Sequence, residues 1–142
     1  MNLFRVISDF SVGVFFISKC KISVSGIKEN AKLFIGENTN IGDRTEIHVG
    51  KKVEIWRSCA ISWDICILDR DYHRFNSSEE EAKLIVIKDN VWIGCRATIL
   101  KGVTIGEGVM IAAGIIVTKD VPSNSCVAGN LAKIIKDNVV WA

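Results

Sequence analysis

Proline occurs once in the 142 residues and histidine only twice, at His48 and His73. With 49% hydrophobic and 24% charged residues, such a chain is globular rather than disordered, and its length suits a single domain with a sizeable core. The five cysteines (20, 59, 66, 95 and 126) are odd in number and include no C-x-x-C pair, which argues against a disulfide framework or a zinc site and for reduced, buried thiols. Net charge is only +2, too small to argue for a nucleic-acid or membrane-surface partner. Long apolar runs are missing as well. The longest uncharged stretch near the start, Phe10 to Ser18, is too short to span a bilayer, and no small-residue cleavage site follows it. The expectation is a soluble, cytoplasmic chain without a transmembrane segment, with loose membrane association left open. The scarcity of histidine leaves few candidates for a base at neutral pH.

What the sequence does have is a period of six. Aliphatic or small apolar residues recur at Ile35, Ile41, Ile47, Val53, Cys59 and Ile65, and again at Ile87, Ile93, Ile99, Ile105, Ile111 and Val117. Glycine often follows, as at Gly36, Gly42, Gly94 and Gly106, with a short or branched residue further on, as at Thr39, Thr45, Ala97, Val103 and Val109. Six matches neither the 3.6 of a helix nor the alternation of a strand that folds back. It matches a chain that turns a corner every six residues, three hexads to a triangular coil, with the aliphatic residue inward and the coils joined by parallel backbone pairing. Asn38, Asn40 and Asn90 suit corners that need positive φ. The plainer alternative is an antiparallel β-sandwich, against which the two phased runs weigh.

Two segments, Ile87-Lys-Asp-Asn-Val-Trp-Ile-Gly-Cys-Arg-Ala-Thr-Ile-Leu-Lys-Gly-Val-Thr-Ile-Gly and Val117-Thr-Lys-Asp-Val-Pro-Ser-Asn-Ser-Cys-Val-Ala-Gly-Asn-Leu-Ala-Lys, resemble the hexapeptide-repeat acyltransferases. The nearest branches are the maltose/galactoside acetyltransferase-like and polysaccharide O-acetyltransferase enzymes. The resemblance covers roughly residues 30 to 136 and implies an all-β, left-handed parallel β-helix, against the usual right-handed rule for parallel crossovers. A single domain over 1–142 is expected. It comprises a degenerate first coil or capping helix at 4–27, repeat coils at 28–122 interrupted by a loop at 69–83, and a tail at 123–142 beginning where the chain leaves the coil after Pro122.

His73 lies at the opening of that loop, in Ile67-Leu-Asp-Arg-Asp-Tyr-His-Arg-Phe75, flanked by Asp69 and Asp71. A loop histidine beside carboxylates is a reasonable general base, and the resemblance implies that a histidine here deprotonates the acceptor hydroxyl. Either aspartate is a candidate to orient it, and either is equally a solvated loop charge. His48 follows inward Ile47 and reads as a surface or interface residue. For the donor, acetyl-CoA, the resemblance implies contacts from Thr118 and Lys119, from backbone at Cys95 and Ala113, and from Lys133 and Lys136 near the adenosine phosphates. Corner packing and solvated surface are the plainer readings of these. Trp92 is too large for the coil interior, which leaves a place over the acetyl group or at a subunit contact.

The resemblance further implies a homotrimer with active sites between subunits, no metal requirement, and a sugar-type acceptor. An N-acetyltransferase acting on an amino sugar and a non-catalytic β-helix scaffold remain as alternatives. A γ-type carbonic anhydrase is disfavoured, since its zinc needs three histidines and the chain has two. Departures from the family pattern are Leu131 in place of the usual proline, Asp64 where asparagine is common, and no helical N-terminal segment of the maltose type.

Overall fold

The computed structural model describes residues 9–12 and 23–25 (backbone only), 30–73 and 81–142. In chain order the strands are β1 (Asp9–Val12), β2 (Ser23–Ser25), β3 (Lys32–Ile35), β4 (Asn40–Ile41), β5 (Glu46–His48), β6 (Lys52–Ile55), β7 (Ala60–Ile61) and β8 (Cys66–Leu68). After the loop come β9 (Ile85–Ile87), β10 (Trp92–Ile93), β11 (Thr98–Ile99), β12 (Thr104–Ile105), β13 (Met110–Ile111), β14 (Ile116–Val117), β15 (Ser125–Ala128) and β16 (Lys133–Asp137). There is no helix among the described residues, and so none long and apolar enough to cross a membrane. The strands form three sheets, β1-β3-β6-β9-β12, β4-β7-β10-β13-β15-β16 and β2-β5-β8-β11-β14. All pairings are parallel except β15 with β16, so the chain is a parallel β-helix of about four turns, as its sequence period implies, and it winds left-handed, as the resemblance of its repeats implies.

The core is a stack of aliphatic columns. Ile41, Ile61, Ile93 and Ile111 line up in the second sheet, and Ile47, Ile67, Ile99 and Val117 in the third, all essentially without solvent exposure. Each strand also turns inward the residue two positions earlier, such as Val91 before Ile93 and Ala97 before Ile99. At roughly 1.5–3 kcal/mol for each fully buried large aliphatic side chain, these columns are the main favourable term in folding. Thr39 and Thr45 occupy the earlier-position column and satisfy their hydroxyls by donating to the carbonyls of Trp56 (2.6 Å) and Ser62 (3.3 Å).

The first run of hexads is not one continuous register. Leu33 pairs with Val53 and Ile35 with Ile55, a turn of 20 residues, whereas Ile87 pairs with Ile105 after 18. The two extra residues sit at the corner around Gly50, so Val53, Cys59 and Ile65 fall two places before the inward Ile55, Ile61 and Ile67, in register with Leu33, Thr39 and Thr45. Asn40 is likewise a strand residue, while Asn38 and Asn90 do take positive φ (57° and 56°) at corners. The coil also runs past Pro122, because β15 pairs in parallel with β13 before the chain reverses into β16. At the other end, β1 and β2 pair in parallel with β3 and β5; the rest of the 4–27 segment lies outside the described residues.

Candidate active site

The loop leaves the solenoid at one corner. Arg70 and Ala82 form an antiparallel bridge at its root, Asp71 N–H donates to the carbonyl of Glu81 (2.8 Å), and the Arg70 guanidinium pairs with the Glu81 carboxylate. Ion pairing and backbone bonding thus close the base of the insertion around residues 70–82, and His73 stands exposed on its first arm.

Asp69 does not orient His73. Its side chain is fully buried, and its carboxylate accepts three backbone N–H groups, from Gly50 (2.6 Å), Lys51 (2.7 Å) and Lys52 (2.8 Å). Those are the groups that the extra corner residues of the 20-residue turn would otherwise leave unpaired, so Asp69 is the plug of that corner. Asp71 is half exposed and pairs with the Lys101 ammonium (2.5 Å), which ties the loop to the next coil.

His48 also reaches the loop. Its Nδ1 lies 2.5 Å from the Tyr72 hydroxyl, and the two rings meet edge-on at 5.7 Å. The Arg70 guanidinium covers the other side of Tyr72, 5.0 Å from the ring centre. His48 Nε2 faces Glu46 Oε2 at 3.3 Å. This contact was readable from strand alternation, since residues 46 and 48 must share a face; its partner Tyr72 was not, because loop geometry is invisible to the hexad pattern.

Four of the residues expected to hold the donor fall on two corners that flank the third sheet. Cys95 and Ala113 follow β10 and β13 and stack upon each other, with Gly114 N–H donating to the Cys95 carbonyl (2.8 Å). Thr118 and Lys119 follow β14. Asp69, Leu100 and Thr118 leave successive strands β8, β11 and β14 at the same corner, so the donor segment stands two coils from the loop root, about 10 Å at strand spacing. Beside it lies a cleft of about 240 Å³ lined by Thr118, Lys119, Asp120, Leu131, Ala132 and Lys133. The C-terminal reversal forms its wall, with Ala132 N–H reaching the Ile116 carbonyl (3.3 Å). Lys136 is exposed on β16, opposite Cys126, and does not line the cleft. Trp92 sits on the outer face of the second sheet, 39% exposed, its ring 6.2 Å from that of Trp141. The structure therefore brings Thr118, Lys119 and Lys133 together and sets Trp92 on a different face from His73.

Asp64 accepts two hydrogen bonds from the Arg44 guanidinium (2.7 and 2.9 Å), which hold its carboxyl below the usual carboxylate range. It has positive φ (57°), a conformation aspartate tolerates as asparagine does.

Comparison with known proteins agrees with this geometry. Residues 85–118 match the bacterial transferase hexapeptide (six repeats) model. The chain is 40% identical over 131 residues to a polysialic acid O-acetyltransferase of Escherichia coli O1:K1 / APEC, covering 88% of this chain and 42% of that protein. It superimposes on the polySia-specific acetyltransferase NeuO with a TM-score of 0.73 and 35% identity, over 94% of this chain and 63% of that one. A hexapeptide-repeat acetyltransferase of Vibrio cholerae O1 biovar eltor, solved with acetyl coenzyme A, gives a TM-score of 0.76 at 27% identity, over 92% and 71%. The chain thus spans about half or less of the length of the curated relatives it matches.

Proposed function

We propose that this chain, which belongs to the hexapeptide-repeat acyltransferase family, moves an acetyl group from acetyl-CoA to a hydroxyl of a sugar or polysaccharide precursor. The observation that carries the reading is the shared corner of the β-helix, where the loop bearing His73 and the Thr118–Lys119–Lys133 cleft stand about two coils apart. A thioester held there lies within reach of a base on the loop.

In this reading the Lys119 and Lys133 ammonium groups meet phosphates of the donor, and the pantetheine arm runs along the third sheet toward the loop. His73 takes the proton of the acceptor hydroxyl as its oxygen attacks the thioester carbonyl. A backbone N–H stabilises the tetrahedral oxyanion, and the coenzyme A sulfur leaves with the proton returned from the imidazolium. Asp71 contributes through the loop root it ties to Lys101, and Asp69 through the corner it fills. Relatives that act on polysialic acid and galactoside support a sugar-type acceptor. Trp92, on the neighbouring sheet, comes to a His73 site only from a second copy, which fits a homotrimer with inter-subunit sites.

The test is release of free thiol from acetyl-CoA in the presence of a panel of sugar and polysaccharide acceptors, with the product treated by mild base. Ester products that base hydrolyses support O-transfer. Base-stable products would instead indicate transfer to an amino sugar, and no acceptor-dependent thiol release would favour a scaffold.

A further inference from the structure

Outside the machinery just described, three different metal-ligand types converge on the outer face of the third sheet. Glu46 and His48 alternate on β5, and Cys66 on β8 is the direct cross-strand partner of Glu46. One ligand atom from each of the three lies within 4.8 Å of the other two, and Glu46 Oε2 already stands 3.3 Å from His48 Nε2. Tetrahedral zinc, with bonds of about 2.0–2.3 Å, sets its ligand atoms about 3.5 Å apart. A modest rotation of the exposed Glu46 side chain and of Cys66 closes the difference. The second shell is in place too. With a cation on Nε2, the imidazole proton resides on Nδ1 and is donated to the Tyr72 hydroxyl at 2.5 Å.

We propose that Glu46, His48 and Cys66 form a binding site for a soft divalent cation of the zinc class, with one coordination position left open. Thiolate and imidazole select such ions over magnesium or calcium, which take oxygen ligands. Binding exchanges the Cys66 S–H bond for a sulfur–metal bond and releases that proton to solvent. Without a cation, burial and the nearby Glu46 carboxylate push the Cys66 thiol above its usual range, so the proton is held until a metal displaces it. Because the same imidazole grips Tyr72, the residue before His73, an occupied site also pins the root of the loop.

The experiment is titration of the chelator-stripped full chain with cobalt(II), followed by displacement with zinc. The expected result is uptake of a single equivalent per chain, with thiolate-to-cobalt absorption in the near ultraviolet that zinc abolishes. Cys66→Ser should remove that absorption, His48→Gln should weaken uptake at least tenfold, and Tyr72→Phe should weaken it about tenfold through the second shell. All three side chains lie on the outer face or loop, so circular dichroism should show an unchanged fold, and Cys126→Ser should bind like the parent. Absence of saturable uptake in the parent overturns the proposal. So does cobalt–thiolate absorption that survives Cys66→Ser and His48→Gln, since the ion would then sit on another thiol.

Discussion

At the scale of single residues, Asp69 and Cys59 show how much of this chain's polar chemistry is structural. Asp69 satisfies three N–H groups at a corner with two residues too many. Replacing it with alanine leaves those donors buried without an acceptor. We expect Asp69→Ala to lower stability by on the order of 2–4 kcal/mol, read as a shift of the urea midpoint. Cys59 fills a core position, and burial pushes its thiol from 9.0 up to about 11. The folded chain therefore holds this proton more tightly than the unfolded chain does. Its contribution is complete below about pH 9 and is lost as pH rises toward 11. The drop in stability across that alkaline window should be smaller in Cys59→Val than in the parent when both are unfolded by urea at each pH. The core place of Cys59 was legible from the period of six, whereas the role of Asp69 was not. Asp69 looked like a catalytic partner because sequence proximity to His73 hides the fact that its strand points it inward.

At the scale of the repeat element, glycine serves two separate needs. A Cβ on Gly94 would lie 2.6 Å from the Ala113 backbone nitrogen of the coil above, although its φ is ordinary. Gly114 is the reverse case, with open space around it and φ of +70°. Gly94→Ala should cost about 1–3 kcal/mol by overpacking, and Gly114→Ala about 1 kcal/mol from backbone strain alone. Urea unfolding of both variants, with Gly94→Ala the more damaging, checks the distinction. The glycine after Ile35, Ile41, Ile93 and Ile105 was visible in the sequence, but its reason was not, because close approach between coils depends on stacking. The same limit explains the hidden slip at Gly50. Two inward positions per hexad are both aliphatic, so a change of column preserved the apparent spacing of six from Ile47 to Val53. The fold class survived that error because every run on either side of the slip has the same period.

At the scale of the whole molecule, the single chain presents apolar surface to solvent, including Trp63 (51%), Trp92 (39%) and Ile135 (63%). Large apolar side chains left in solvent suit an association surface, and we expect a homotrimer. Light scattering should then give about three times the monomer mass of 15.7 kDa. A clean monomer at micromolar concentration would remove the inter-subunit site. The place of the loop and the sequence positions of Thr118, Lys119 and Lys133, which the structure brings to one cleft, were readable from motif and period, whereas the tether of Tyr72 to His48 emerged only when the loop folded back on the sheet. The most direct measurement is turnover of His73→Ala beside His48→Ala in the thiol-release assay, with coenzyme A affinity measured on both. His73 is exposed and adds little to folding, so its loss should leave donor binding and assembly intact while turnover falls about 10²–10⁴-fold, the contribution of a positioned base. His48→Ala, which releases Tyr72 but leaves the base in place, should lose much less. Near-parental turnover in His73→Ala, or a larger loss in His48→Ala, would contradict the account.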